Sequence, residues 1–84
     1  MARYRLSHSA DQDFFDIYIY GAQTFGVKQA EAYTAAMQVR FQEIADAPHL
    51  YQAVDSIRPG YRRCVYGVHA IYYRQYSADI LIVR

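Results

Sequence analysis

Apolar side chains change their spacing once along this chain, and that change limits the folds available to it. On either side of Gly26, large apolar residues recur every three or four positions, which is the period of an amphipathic helix. The first set is Phe14, Ile17, Tyr18, Ala22 and Phe25, and the second is Ala30, Tyr33, Met37, Phe41 and Ile44. After residue 60 the period becomes two, the period of a strand. Two helices followed by a sheet are therefore predicted.

The ends of the two helices carry recognisable signals. Ser9 is followed three residues later by Gln12, a capping-box pattern that predicts a helix start near Ser9. Gly26 predicts the end of the first helix, and Pro48 the end of the second. Because the turn between them is so short, the helices should form an antiparallel hairpin. Gly21 weakens the first helix by about 1 kcal/mol relative to alanine, so we expect the second helix to pack closely against it.

Strand patterns occupy the start and the last third of the chain. Residues 2–7 alternate as a short first strand, and residues 61–66 and 70–76 alternate around a turn near Gly67. Residues 79–84 are rich in β-branched side chains and follow a predicted turn at Tyr76, Ser77 and Ala78. Residues 48–60 show no period and read as a connecting loop. The order β-α-α-β-β-β predicts an α+β fold, with the helical hairpin packed on one face of a small antiparallel sheet.

Charge is distributed unevenly along the sequence. Residues 1–57 carry four basic and seven acidic side chains, a net charge of −3, whereas residues 58–84 carry five arginines and one aspartate, a net charge of +4. The segment "RPGYRRCVYGVHAIYYR" holds four arginines and four tyrosines without a lysine or a carboxylate. Arginine presents a planar fork that matches phosphate and carboxylate groups, so the segment is typical of a surface that contacts a negatively charged partner. The alternative is a solvated sheet face stabilised by cross-strand Arg–Tyr pairs.

The candidate partner-binding residues come from this segment. Arginines would contact acidic groups, and tyrosines would act as rigid aromatic anchors. The set is Arg58, Tyr61, Arg62, Arg63, Tyr72, Tyr73 and Arg74. Strand alternation places Arg62 and Arg63 on opposite faces of the sheet, and likewise Tyr72 and Tyr73. Alternation does not decide which face packs against the helices.

Several functional classes lack support in the sequence. The three histidines and Cys64 stand apart without a metal-binding spacing, and the glycines are too scattered for a phosphate loop, so we expect no metal, no cofactor and no catalytic residue. The second helix mixes both charges (Lys28, Glu31, Arg40, Glu43, Asp46), which indicates a solvated outer face and argues against sequence-specific DNA reading. No apolar run approaches the roughly 18–20 residues that span a bilayer, and a single cysteine fits a reducing compartment, so a cytoplasmic protein without a membrane partner is expected.

Two separated blocks resemble the ParE toxins of the RelE/ParE superfamily. The stretch "YRLSHSADQDFFDIYIYGAQTFGVKQAEAY" is similar to the family's opening, in which Y-x-L-S precedes an acidic first helix and a later helix contains Q-A-x-x-Y. The stretch "IRPGYRRCVYGVHAIYYR" is similar to its block I-R-P-G-Y-R-R followed by G-x-H-x-I-x-Y-R. The resemblance implies a cytoplasmic toxin that inhibits DNA gyrase by protein–protein contact and is neutralised by a ParD-type antitoxin in a hetero-oligomer.

Two alternatives stay open beside this interpretation. Nuclease members of the superfamily cleave ribosome-bound mRNA, but the arginines here are poor general bases because they stay protonated. Relatives also usually continue past the position of "ILIVR" with a short polar tail. We therefore expect residues 1–84 to form a single ParE-like domain without that tail, and a non-toxic form that only binds antitoxin is the second alternative.

Overall fold

The computed structural model describes residues 3–76 and 79–83. Its elements are β1 (Tyr4–Leu6), α1 (His8–Phe25), α2 (Val27–Asp46), a 3₁₀ turn (Pro48–Leu50), β2 (Gln52–Ala53), β3 (Tyr61–Tyr66), β4 (His69–Tyr76) and β5 (Asp79–Ile82). The predicted order of long elements is confirmed. The predicted turn residues Ser77 and Ala78, and Ala2 and Arg84 of the predicted terminal strands, lie outside the described residues. Within the described part, neither helix combines the length and apolar character needed to cross a membrane.

The five strands form one sheet in the order β1-β5-β4-β3-β2. The α+β class is confirmed, but the sheet is mixed rather than wholly antiparallel, because β1 runs parallel to β5. In chain order the helical hairpin separates β1 from the β3-β4-β5 meander. The last strand, β5, then pairs with β1 and runs in the same direction. Hydrogen bonds from Ile80 N to Arg3 O (3.0 Å) and from Ser7 N to Ile82 O (2.8 Å) close this edge.

Helix α1 begins at His8, within one residue of the predicted start near Ser9, but its N-cap is Ser7, so the capping-box prediction was wrong. Ser7 has extended backbone angles (φ −65°, ψ 167°), and its Oγ accepts a hydrogen bond from Ala10 N at 3.0 Å. Gln12, the expected partner in a capping box, instead donates to Asp16 Oδ1 at 3.0 Å. Ser7 caps the helix in place of Ser9 because it lies directly after β1, where its Oγ also donates a hydrogen bond to Val83 O at 2.8 Å.

The two helices meet closely at Gly21, as predicted. A Cβ atom on Gly21 would lie 3.3 Å from Ala30 Cβ on α2, which is tighter than ordinary van der Waals contact. Gly26 joins the helices with φ 99°, a left-handed value that favours glycine. Glycine at these two positions therefore permits the tight antiparallel hairpin.

The core lies between α2 and one face of the sheet. Its members are ten buried side chains: Ala10, Met37, Phe41, Ile44, Ala45, Cys64, Ile71, Tyr73, Ile80 and Ile82. Ala10 is the one residue of α1 in the buried class, and all of α1 is described, whereas α2 has six. Helix α2 thus covers the sheet, and α1 packs mainly beside α2 with much of its apolar surface left open.

Residues 48–60 contain more structure than the predicted loop. The strand β2 pairs with β3 through Gln52 opposite Arg63 and Ala53 opposite Arg62. A two-residue strand has no measurable period, so only its pairing with β3 reveals it. Gly60 N then donates to Asp55 Oδ1 at 2.9 Å, which closes the turn that leads into β3.

Candidate functional site

The packing of the sheet decides which side chains of β3 and β4 are available to a partner. Cys64, Ile71 and Tyr73 face α2 in the core. Because strand side chains alternate, the opposite face carries Arg5, Tyr61, Arg63, Tyr72 and Arg74, which we call the arginine–tyrosine face. Helices therefore cover one side of the sheet and leave this one uncovered.

Arginine and tyrosine alternate in both directions on that face. Tyr61 lies opposite Arg74, and Arg63 lies opposite Tyr72. On each strand the two residues are separated by two positions, so the four side chains form a checkerboard. Such a surface offers guanidinium forks beside aromatic rings, a combination that suits acidic groups on another macromolecule.

Arg5 extends this face and was not among the predicted site residues. Arg5 of β1 lies opposite Leu81 of β5, and Leu81 lies opposite Arg74 of β4. Alternation in the first strand already places Arg5 away from Leu6, but only the parallel pairing of β1 with β5 brings it into this row. The carboxylate of Asp79, diagonal to Arg74, is the one acidic side chain that the described strands add to this face.

Arg58 lies beside the arginine–tyrosine face in the turn before β3. Its guanidinium carbon is 5.7 Å from the centre of the Tyr61 ring, within the range of a cation–π contact. Gly60 follows with φ 82°, so the turn requires a residue that tolerates the left-handed region. The structure therefore places Arg58 against Tyr61, at the border of the arginine–tyrosine face.

Two predicted site residues lie on the helix-facing side instead. Tyr73 is only 1% exposed, and its hydroxyl donates to Pro48 O at 2.6 Å. Burial raises the pKa of Tyr73 to about 12, so this phenol is a neutral core donor. Arg62 is half-buried and donates to Tyr51 O at 2.6 Å. Tyr73 therefore offers no surface to a partner, and Arg62 holds the loop after α2 through its hydrogen bond to Tyr51 O.

Arg40 was predicted to lie on a solvated outer face of α2, but in the structure its guanidinium contacts β3. Its Nη1 lies 3.3 Å from Cys64 Sγ and 3.3 Å from Val65 O, and its guanidinium covers the Tyr66 ring at 5.1 Å. The hydrogen bond to Cys64 is the main reason that the pKa of Arg40 is raised. Its position, three residues after Met37 in the apolar stripe, was the signal for this contact.

An apolar groove of about 760 Å³ runs between α1 and the β3–β4 hairpin. We call it the helix groove. Its floor is made by core residues, including Met37, Phe41 and Ile71. Residues that line it include Phe14, Ile17, Tyr20 and Phe25 of α1, Val68 of the β3–β4 turn, and His69, Ala70 and Tyr72 of β4. The groove exists because α1 leaves much of its apolar surface unburied.

Tyr33 of α2 lines the helix groove and contacts the β3–β4 hairpin. The Tyr33 hydroxyl lies 2.7 Å from His69 Nδ1 and 3.4 Å from Tyr66 O. A Cβ atom on Gly67 would lie 2.8 Å from this hydroxyl, so a larger residue would displace Tyr33, and the φ of 59° also favours glycine. Burial, followed by the neighbouring Tyr66, raises the pKa of Tyr33, which keeps the phenol neutral. The contact thus joins His69 of the hairpin to α2.

The described residues hold no cluster of three metal-ligating side chains. Cys64 is a free, buried cysteine. Its burial is typical of a cysteine that packs as a small apolar strand residue.

Comparisons with known proteins agree with this architecture. The family described as "ParE toxin of type II toxin-antitoxin system, parDE" matches residues 4–84. The chain is 42% identical over 74 residues to Toxin ParE1 of Caulobacter vibrioides, covering 88% of this chain and 77% of that protein. It is 37% identical over 73 residues to Toxin ParE1 of Mycobacterium tuberculosis, covering 87% and 74%.

A solved structure extends the likeness to the fold. A chain of the chromosomal ParDE system from P. aeruginosa superposes with a TM-score of 0.83, at 17% sequence identity, and covers all of this chain and 92% of that one. At that identity the match speaks for the fold alone. The family match across almost the whole chain and the 42% identical relative speak for descent, and the chain therefore belongs to the ParE toxin family.

Proposed function

We propose that this ParE toxin inhibits DNA gyrase by protein–protein contact and is neutralised by a ParD-type antitoxin in a hetero-oligomer. Membership of the family supports the toxin role, and the relatives' name, Toxin ParE1, is consistent with it. The site of action is the cytoplasm, where gyrase and its DNA are found. Sequence-specific DNA reading forms no part of the proposal.

The observation that carries the proposal is the arginine–tyrosine face. It places alternating guanidinium and phenol groups on the side of the sheet that α2 leaves uncovered. These groups bind without chemistry of their own, since a guanidinium stays protonated and cannot accept a proton. His69, a stronger candidate for proton transfer, is held against Tyr33 in the lining of the helix groove. These residue types favour contact over cleavage of RNA.

The proposed gyrase-contact residues follow from where each predicted side chain lies. Arg58 is exposed and borders this face, and Arg5 is added to it by the pairing of β1. Arg62 and Tyr73 are left out because their polar groups bind Tyr51 O and Pro48 O. The proposed set is Arg5, Arg58, Tyr61, Arg63, Tyr72 and Arg74.

The helix groove is the proposed antitoxin site. Apolar side chains on its lips, notably Tyr20 and Phe25 at 66% and 60% exposure, need a partner to leave water. A helix lying in a hydrophobic groove is a common mode of peptide recognition. The antitoxin and gyrase would then use different surfaces of the toxin.

Supercoiling of plasmid DNA by gyrase tests the proposed target. The purified toxin should inhibit supercoiling, and Arg63→Ala with Arg74→Ala should reduce inhibition at least about tenfold, the scale of a hot-spot loss. Lys28→Ala on α2 removes a positive charge away from this face and should leave inhibition unchanged. Messenger RNA integrity in a translation assay is scored in parallel. Cut RNA with normal supercoiling would establish the nuclease alternative, and neither activity beside tight antitoxin binding would establish the non-toxic one.

A further inference from the structure

The helix groove is lined by acidic side chains but by no lysine or arginine. Among the described residues that line it, the carboxylic acids are Asp13 and Asp16, both on α1, and the one histidine, His69, contacts the Tyr33 hydroxyl. Helix α1, from His8 to Phe25, has a third carboxylate at Asp11 and no basic side chain other than His8. The wall formed by α1 is therefore both apolar and acidic.

The two carboxylates have a fixed relation to the apolar wall. Asp13 and Asp16 are three residues apart, so they lie on the same side of α1, next to Phe14 and Ile17. Asp16 is exposed, and one of its oxygens accepts from Gln12 Nε2 at 3.0 Å. A carboxylate has acceptor capacity for several donors, so this bond does not exhaust it. A segment bound in the groove must therefore lie next to the carboxylates of Asp13 and Asp16.

The other lip of the groove is apolar and strongly exposed. Val68, at the tip of the β3–β4 hairpin, is 94% exposed, and Ala70 follows it along the groove. Between Ala10 and Phe25 the groove follows α1 for roughly 22 Å, at 1.5 Å per residue. An amphipathic helix of about four turns matches that length.

We propose that the helix groove selects an amphipathic helix whose apolar stripe fills it and whose lysine or arginine side chains lie against Asp13 and Asp16. The inference rests on the proposed function, since the antitoxin is the protein expected to present this helix. It adds the sign of the charge that the groove recognises, because the bound helix must be basic along one flank. An acidic helix with the same apolar stripe is rejected by like-charge repulsion.

A pair of matched peptides tests the charge requirement directly. Both are labelled helical peptides of equal length with one apolar stripe, and they differ only in having lysine or glutamate along one flank. Binding to the purified protein is followed by fluorescence anisotropy. The lysine peptide should bind about tenfold more tightly, since it gains two attractive pairs and avoids two repulsive ones. Raising the salt concentration should shrink the difference.

Substitutions on the protein locate the effect. Asp13→Asn with Asp16→Asn should remove the preference for the lysine peptide, whereas Asp11→Asn, on the same helix but outside the groove lining, should preserve it. Circular dichroism checks that each variant is folded. Equal affinity for both peptides, no binding of the lysine peptide, or an unchanged preference in the double variant would overturn the inference.

A second measurement separates this inference from the proposed function. The antitoxin encoded beside the toxin gene is titrated against the wild-type protein and the Asp13→Asn, Asp16→Asn variant. Weaker binding to the variant supports the charge requirement. Tight binding that is equal for both proteins would refute the charge requirement while leaving neutralisation by an antitoxin intact. Absence of binding to the wild-type protein would refute neutralisation.

Discussion

Tyr72 and Tyr73 are neighbours in sequence but have different environments in the structure. Tyr72 lies opposite Arg63 on the arginine–tyrosine face. Tyr73 points the other way, packs edge-on against Tyr51 with ring centres 6.4 Å apart, and hydrogen-bonds Pro48 O. One position along a strand thus separates a candidate contact residue from a core residue that holds the loop after α2.

The Tyr73 hydroxyl should contribute measurably to stability. In Tyr73→Phe the carbonyl of Pro48 loses its donor in a buried setting, and we expect the free energy of unfolding to fall by about 1–2 kcal/mol. Urea denaturation measures this as a lower midpoint with an unchanged m-value. Tyr72→Phe is the matched control and should change stability by less than about 0.5 kcal/mol. Equal losses in the two variants would contradict the assigned roles.

Alkaline pH should also distinguish the wild-type protein from Tyr73→Phe by stability. The pKa of Tyr73 is raised from its ordinary value of 10.0 to about 12 by burial. Below pH 10 both folded and unfolded states keep the proton, but between pH 10 and pH 12 only the unfolded state releases it, so stability falls as pH rises. Tyr73→Phe lacks this proton, and its stability should fall less steeply over the same range in urea titrations. Tyr33 and Tyr51, whose pKa values are also raised, are present in both proteins, so both proteins should still lose some stability over this range.

At the level of elements, Ser7 joins three parts of the fold. Its Oγ accepts from the first turn of α1 and donates to Val83 O just after β5, while its backbone N–H donates to Ile82 O. A capping residue that also ties the helix to the neighbouring strand couples α1 to the parallel edge of the sheet. This edge positions both Arg5 and the start of the helix groove.

Removing the Ser7 hydroxyl should therefore cost more than removing a helix cap alone. We expect Ser7→Ala to lower the free energy of unfolding by about 2 kcal/mol, since a cap contributes about 1 and the second hydrogen bond a similar amount. Ser9→Ala, at the position favoured by the capping-box pattern, should cost less than about 0.5 kcal/mol. Chemical denaturation of the two variants distinguishes them. A larger loss in Ser9→Ala would restore the capping-box interpretation.

The whole molecule presents two surfaces of opposite character. The arginine–tyrosine face is basic and aromatic, whereas the helix groove is apolar with an acidic wall. They meet at Tyr72, which lies on the arginine–tyrosine face and also lines the helix groove. A toxin of this size can thus meet two partners through different chemistry, which is the arrangement that the proposed function requires.

Substitutions on the two surfaces should act independently. Arg63→Ala with Arg74→Ala should weaken gyrase inhibition and leave antitoxin affinity within about twofold, because neither arginine lines the helix groove and sites without shared partners are additive within about 0.5 kcal/mol. Asp13→Asn with Asp16→Asn should weaken antitoxin binding and leave gyrase inhibition unchanged. Supercoiling assays and antitoxin titrations on single and combined variants measure this. Coupling well above that limit would mean that one surface serves both partners.

Much of the fold was accessible from residue patterns. The helical period, Gly26 and Pro48 predicted both helices, and the alternation in residues 61–66 predicted β3 at its observed bounds, Tyr61–Tyr66. These signals are local, since periodicity and turn residues act within a few positions of the chain. The Gly21 contact with Ala30 was also predictable, because a glycine inside a helix has a cost that close packing explains.

The candidate site depended on information that no local pattern contains. Alternation separated Arg62 from Arg63 and Tyr72 from Tyr73, but only packing against α2 put Tyr73 inside and Arg63 outside. Arg5 entered the site through parallel pairing of the two chain ends, and the helix groove arose where α1 left part of its apolar stripe uncovered. Periods and turns are written in neighbouring residues, whereas the buried face of a sheet is chosen by contacts between residues distant in the chain.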